Sequence, residues 1–339
     1  MLKFLRNTPL QKYNTFNIKA SAKYFIEISS ESQFEELLQS EIFRSERRFI
    51  LGGGSNILFT SDFDGLIIKS AIKGISVENS DSGSVLIEAG AAENWSDFID
   101  FCINNEYFGM ENLGFIPGSV GAAPVQNIGA YGIEQKKNFV SLKGIDLMTG
   151  KIIEFGKIDS NFSYRNSIFK KLLKEEFFIL SVKYELSRKF EPNLDFKELA
   201  DKIALDSRLV PEFRKLYEAV KELRESKLPN PSVLGNAGSF FKNPIVNDEK
   251  ITELVATYPE IPHWNMYENN NKIPAAWLIE KSGWKGFRKG DCGVSGRHAL
   301  ILVNFGSATG LEILELSWEI IESVKNKFKI SLEPEVRII

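Results

Sequence analysis

The sequence predicts an α+β protein in two parts, and three observations carry that prediction. Strands and helices are mixed in the first half without the regular alternation of a doubly wound sheet. Two glycine-rich loops interrupt apolar runs there, and near residue 190 the pattern turns helical. At 339 residues the chain is long enough for two domains, or for one large domain with an insertion, each with a core of its own.

Taken in order, residues 24–29 alternate as a strand, and residues 31–43 carry Phe34, Leu37 and Leu38 at helical spacing. Ile50 and Leu51 then lead into Gly52-Gly53-Gly54-Ser55-Asn56, and Ile57-Leu58-Phe59 returns to apolar chain. That is a strand, a phosphate-sized polar turn and a buried exit. The turn has neither dinucleotide-fingerprint spacing nor the Lys-Ser/Thr of a P-loop, so neither nucleotide motif applies. Residues 65–69 and 84–91 read as further strands. Residues 94–107 read as an amphipathic helix with Trp95, Phe98, Ile99 and Cys102 on one face.

The second glycine loop, residues 114–132, sets Gly114, Gly118, Gly121, Gly129 and Gly132 among Ala122, Ala123 and Ala130. Pro117 and Pro124 stiffen its path, and Gln126, Asn127 and Tyr131 supply directional polar groups. Glycine loses the most entropy on ordering and gives a core no side chain. Its use here is to let backbone approach a ligand, with free N–H groups turned toward it. The plainer alternative is a buried Gly/Ala-rich turn. Two such loops in one domain point to an extended ligand held at its pyrophosphate and again along its length. Residues 140–155 read as a hairpin turning at Met148-Thr149-Gly150, and residues 177–186 as the last strand of this part. Helices are then expected at 196–203, 210–227, 249–257 and 274–282, a strand at 299–304, and a long helix at 311–328.

Composition narrows the function. A net charge of −3 leaves no basic excess for a nucleic-acid backbone. Two cysteines, Cys102 and Cys292, make no disulfide framework, and with only two histidines no metal site is expected. No apolar run reaches membrane-spanning length, and the first residues lack a signal peptide's apolar core, so the expectation is a cytoplasmic protein.

Three spots outside the loops can carry chemistry. Arg165, in Ser163-Tyr164-Arg165-Asn166-Ser167, is either a solvated side chain or a planar fork for a carboxylate. Ser239 follows Gly235-Asn236-Ala237-Gly238 and precedes Phe240-Phe241-Lys242-Asn243-Pro244. With no histidine nearby it suits a proton donor better than an acyl-enzyme nucleophile; a turn serine is the alternative. Glu335 lies in Leu332-Glu333-Pro334-Glu335-Val336-Arg337-Ile338-Ile339. As a strand, that stretch puts Glu335 and Arg337 on one face and Val336 and Ile338 on the other. It is either an edge strand with a solvated face or a tied-in end that fixes Glu335 in a site.

Together these segments resemble the UDP-N-acetylenolpyruvoylglucosamine reductases. The resemblance covers nearly the whole chain, from Asn14-Thr15-Phe16-Asn17-Ile18 through both loops, Tyr164-Arg165, the stretch around Ser239, Val294-Ser295 with His298, and the C-terminal segment. It implies a vanillyl-alcohol-oxidase-type FAD-binding region in residues 1–189, a smaller α/β substrate domain in 190–330, and a strand, 331–339, returning to the FAD-binding part. It implies NADPH as hydride donor, non-covalent FAD (Ser55 follows the glycines where some relatives of the fold have a histidine), and reduction of an enolpyruvyl ether on UDP-N-acetylglucosamine by a monomer. The implied FAD contacts are Gly52, Gly53, Gly54, Ser55 and Asn56, then Pro117, Gly118, Ser119, Gly121, Ala122, Asn127, Gly129, Ala130 and Tyr131, with Ile179.

By the same resemblance, Arg165 holds the enolpyruvyl carboxylate and steadies the charge that grows after hydride transfer. Ser239 supplies the proton, and Glu335 sits beside the charge, protonated or hydrogen-bonded to Arg165 or water. The three are expected to converge over the flavin. Lys227 and Asn243 match positions that hold the uridine diphosphate, and Phe196 stands where one branch of the family has a substrate-contacting tyrosine. Two alternatives remain from the residues alone: a flavin-dependent sugar-alcohol oxidase on the same scaffold, or a non-catalytic sugar-nucleotide or flavin binder.

Overall fold

Two sheets of different character build the first of two units. The computed structural model describes residues 2–79, 83–204, 212–266 and 269–339. The first sheet has the order Leu5–Pro9, Ser21–Ile28, Phe63–Ser70, Arg48–Leu51, with the last three strands parallel. Its Ile26, Ile28, Leu66 and Ile68 are buried with Phe34 and Leu37. The helix expected over 31–43 is two helices, Gln33–Gln39 and Glu41–Ser45. Ser40 breaks it: its backbone is extended, and its hydroxyl donates to the Leu37 carbonyl at 2.8 Å and accepts from the Phe43 N–H at 3.2 Å. The hydroxyl thereby caps the second helix.

The second sheet is antiparallel, in the order Ile152–Gly156, Phe139–Asp146, Phe177–Ser187, Ser84–Gly90, Ile75–Asn79. The hairpin and the last strand fall where they are expected. Ile75–Asn79 is an addition, an almost wholly exposed edge strand whose side chains show no alternation in burial. The helix Trp95–Asn104 begins at Asn94, whose side chain accepts from the Asp97 N–H. It buries the expected stripe of Trp95, Phe98, Ile99 and Cys102.

This first unit comprises Met1–Thr8, Ala22–Gly54 and Phe63–Arg224. The helices Lys197–Ala204 and Phe213–Lys227, read in the sequence as the opening of the second part, bury Leu199, Leu216 and Val220 with Phe115 and Tyr131 packed against them. The first unit therefore runs on past residue 190. Residue 210, the expected start of the second of these helices, lies outside the described residues.

The second unit comprises Pro9–Ser21, Ser55–Asp62 and Glu225–Ile339. Strands share it with helices: the one expected over 299–304 is present, and several short ones have no mark in the sequence. One antiparallel sheet has the order Gly235–Ser239, Ile301–Asn304, Cys292–Val294, Arg288–Lys289. A second joins Ile245–Asn247, Asn270–Lys272 and Trp264–Met266. These strands run two to five residues and include Gly-Asn-Ala-Gly-Ser, which has no strand propensity of its own. Asp248–Thr257, Ala275–Lys281 and Gly310–Phe328 are the helices. Among the described residues no helix is long and apolar enough to cross a membrane, and no cluster of ligating side chains could hold a metal.

Candidate active site

In the first unit the two glycine loops meet backbone to backbone. A Cβ added at Gly53 would lie 2.7 Å from the Gly118 Cα, and one at Gly52 would lie 3.1 Å from the Ala122 Cβ and 3.3 Å from the Ser119 hydroxyl. Gly54 and Gly118 have φ of 68° and 139°, backbone that other residues rarely adopt. Pro117 leads into this contact. Gly121 packs as closely on Ala91, whose Cβ lies 2.6 Å from where its own would be.

One physical expectation for the second loop is corrected. Its N–H groups at 120–123 do not point outward: Val120 donates to the Glu93 carbonyl, Gly121 to Ala91, Ala122 to Ser119 and Ala123 to Val120. This stretch is a 3-10 turn laid on the preceding strand's exit, so its small residues serve close packing.

Asn127 is fully buried, with φ of 45°. Its amide donates to Glu134 at 2.9 Å and to the Ser163 carbonyl at 3.2 Å, and its oxygen accepts from Gln135 at 3.3 Å and the Lys136 N–H at 3.2 Å. An asparagine side chain has no more to give. Its backbone N–H is used as well, donating to the Pro124 carbonyl at 3.3 Å.

Arg165 is at the tip of a two-residue turn closed by paired hydrogen bonds between Ser163 and Asn166, both 3.1 Å. Its φ is 54°, and its Nη2 donates to the Gly129 carbonyl at 2.8 Å. The half-buried guanidinium thus lies on the second glycine loop, with Ala130 the next residue along. Tyr131 places its ring edge-on to Phe196, centroids 5.3 Å apart. Burial raises the Tyr131 pKa, with Arg224 opposing and Glu198 adding to the shift. Ile179 is in the interior strand Phe177–Ser187 and is buried in the core.

Two side chains here escaped the sequence reading. Arg224 donates through Nε to the Phe115 carbonyl at 3.0 Å, and burial lowers its pKa, with Tyr131 opposing and Arg165 adding to the shift. Its signal was an arginine four residues after Val220, on the stripe that buries Leu216 and Val220. Asn112, fully buried, donates to the carbonyls of Tyr131 at 2.7 Å and Asn193 at 3.1 Å. Nothing in its sequence surroundings marks it.

In the second unit the C-terminal segment ties Ser239 and Glu335 to the same backbone. Asn236 pairs with Val303 and Ser239 with Ile301, with a bulge between them at Ala237 and Gly238. Gly238 has φ of 68°, with open space where its Cβ would be. Bulges re-aim the side chain that follows. The Glu335 N–H donates to the carbonyl of Phe240, the residue after Ser239, at 2.8 Å, and Pro334 pairs with Phe241. The Asn56 side chain donates to the Glu335 carbonyl at 3.3 Å, and the Asn56 carbonyl accepts from the Arg337 N–H at 3.0 Å. The regular strand expected at the end shrinks to Arg337–Ile338, parallel to Ile57–Leu58, and Ile338 is 37% exposed, so it does not share the buried side with Val336. Pro334 sits between two backbone bonds, the one from the Glu335 N–H to Phe240 and one from the Lys242 N–H to the Glu333 carbonyl at 2.9 Å, where its missing N–H is not called on. Lys227 ends its helix, and the Asn243 side-chain oxygen accepts from the Ala275 N–H at 2.9 Å, capping another.

Comparison with known proteins supplies the family. Residues 22–156 match the FAD binding domain, and residues 230–339 match the C-terminal domain of UDP-N-acetylenolpyruvoylglucosamine reductase. The UDP-N-acetylenolpyruvoylglucosamine reductase of Amoebophilus asiaticus is 43% identical over 98% of both chains, and that of Flavobacterium johnsoniae is also 43% identical over 98% of both. The chain belongs to the UDP-N-acetylenolpyruvoylglucosamine reductase family. A crystal structure of the Thermus caldophilus reductase superposes with a TM-score of 0.67 at 20% identity, covering 100% of this chain and 98% of that one, which speaks to the fold. The α+β fold expected of this reductase family, a vanillyl-alcohol-oxidase-type FAD-binding region followed by a C-terminal domain, is borne out. FAD is the cofactor these matches give, and the two loops, packed on each other where Gly53 and Gly118 lack side chains, suit a group held along backbone.

Proposed function

We propose that the protein reduces the enolpyruvyl ether of UDP-N-acetylglucosamine to UDP-N-acetylmuramate for peptidoglycan precursor synthesis. It acts as a cytoplasmic monomer, with NADPH as hydride donor. The observation that carries this reading is identity of 43% along 98% of reductases of that name. Residues 1–189 serve the cofactor, 190–330 the substrate, and 331–339 bring Glu335 into place. FAD, held non-covalently along Gly52–Asn56 and the second glycine loop, supplies the hydride chemistry.

The chain's own residues do the rest. Arg165 offers its fork to the substrate carboxylate and stabilises the charge that develops on the enolpyruvyl group. Ser239 gives a proton to the carbon next to that carboxylate, its hydroxyl aimed by the bulge before it and dried by buried Phe240 and Phe241. A hydroxyl is a feeble acid, so a relay must return its proton. Glu335, whose N–H donates to the carbonyl of Phe240 next to Ser239, is the group we assign to that relay. Lys227 and Asn243 hold the diphosphate and uridine end, and Phe196 covers the nucleotide by stacking.

Stopped-flow absorbance of the holoenzyme, with NADPH first and enolpyruvyl substrate second, separates these roles. Ser239→Ala is expected to leave reduction by NADPH intact and to slow product formation by about 10²-fold or more. Equal loss in both half-reactions would make Ser239 structural. Glu335→Gln is expected to cost less than Glu335→Ala, and the opposite order would remove Glu335 from the relay.

A further inference from the structure

Ser167 has no part in the chemistry above, yet it is only 2% exposed, and its hydroxyl donates to the Val125 carbonyl of the second glycine loop at 2.6 Å. On the opposite leg of the same turn, Asn127 reaches from that loop to the Ser163 carbonyl at 3.2 Å. The turn between these two ties has Arg165 at its tip with φ of 54°. That conformation is unfavourable for any residue with a Cβ and persists only where its surroundings over-determine it. The guanidinium end is itself set on the Gly129 carbonyl at 2.8 Å. Three hydrogen bonds thus fasten both legs and the tip of the turn to three residues of one loop, Val125, Asn127 and Gly129.

We infer that Ser167 is a positioning residue for Arg165: its hydroxyl holds the turn in the strained form from which the guanidinium reaches the substrate carboxylate. The inference rests on the carboxylate role proposed for Arg165. An arginine has many rotatable bonds, so its fork meets a planar anion only if the backbone it starts from is fixed. Without the Ser167 tie the turn relaxes toward ordinary φ. The fork then leaves the carboxylate's place while the rest of the ligand's contacts stand.

The test is calorimetric titration of the oxidised holoenzyme with two ligands, UDP-N-acetylglucosamine enolpyruvate and UDP-N-acetylglucosamine, which lacks the carboxylate. Ser167→Ala is expected to weaken the first about 10-fold or more and to leave the second within about twofold, since misplacement of a binding group by an ångström costs on that order. Ser167→Thr, which keeps the hydroxyl, is expected to restore the difference. Adding Ser167→Ala to Arg165→Lys is expected to cost nothing further, because one residue acts through the other. Should Ser167→Ala not fold, Ser167→Cys, of similar size but a weaker donor, carries the same comparison. If the Ser167 variant weakens both ligands alike, or neither, while Arg165→Lys weakens only the enolpyruvyl ligand, the inference is overturned and the reading of Arg165 stands. If Arg165→Lys leaves the preference for the carboxylate untouched, the reading of Arg165 falls, and the inference with it.

Discussion

At Gly53 one added methyl group probes the contact between the two glycine loops that we propose hold the flavin. Its Cβ would lie 2.7 Å from the Gly118 Cα and 2.8 Å from the carbonyl carbon, and backbone cannot swing aside as a flexible side chain does. Gly53→Ala is expected to lower stability by about 1–3 kcal/mol and to yield protein with less flavin after gel filtration. Full flavin content with an unchanged Tm would mean the loops are looser than they look. Tyr184 tests the opposite kind of residue. Its hydroxyl is buried with no hydrogen-bond partner among the described residues, so Tyr184→Phe is expected to leave stability unchanged or raise it by about 1 kcal/mol. A loss of that size in a denaturant melt would reveal an ordered water on the hydroxyl.

Among the elements, those whose signals are local were legible. The helix Trp95–Asn104 has a capping asparagine and a one-sided apolar stripe, both contained in ten or so residues. The helix Gly310–Phe328 has the same completeness: the Thr309 hydroxyl accepts from the Glu312 N–H, and the Glu312 carboxylate accepts from the Thr309 N–H. Thr309→Ala is expected to cost about 1 kcal/mol in chemical denaturation, and no change would mean that tertiary packing alone sets the helix start. The strand Gly235–Ser239 was not legible as a strand. Gly235 fits against a distant carbonyl, that of Phe16, and the strand's pairing comes from Ile301–Asn304. Small residues around Ser239 were visible in the sequence, but the bulge before it was not.

For the molecule as a whole, pH acts through Glu111. It is 3% exposed, and its two oxygens accept from the Gly109 N–H at 2.9 and 3.1 Å. Burial raises its carboxyl pKa above the ordinary 4.5, with backbone hydrogen bonds and Lys137 opposing. A raised carboxyl favours the folded state in its protonated form. Its contribution is therefore complete below the ordinary carboxylate range and is lost as pH rises from there through the raised value. Glu111→Gln, which cannot ionise, is expected to flatten the fall in Tm across that window. A wild-type and variant pair with parallel Tm–pH curves would remove Glu111 as the cause.

The fold class, the two glycine loops, the amphipathic helices and the family can be read from the amino acids in order, because each is written in short-range pattern or in motifs kept in sequence along the chain. Tertiary structure alone decided which N–H groups of the second loop are already used, that Arg224 is drawn in beside Tyr131, and that Ser163 and Ser167 are moored to Asn127 and Val125. It also decided that Arg337 finds its partner at Asn56. A hydrogen-bonding group is satisfied by whatever the fold brings near, and no residue's neighbours in sequence announce a partner so far along the chain.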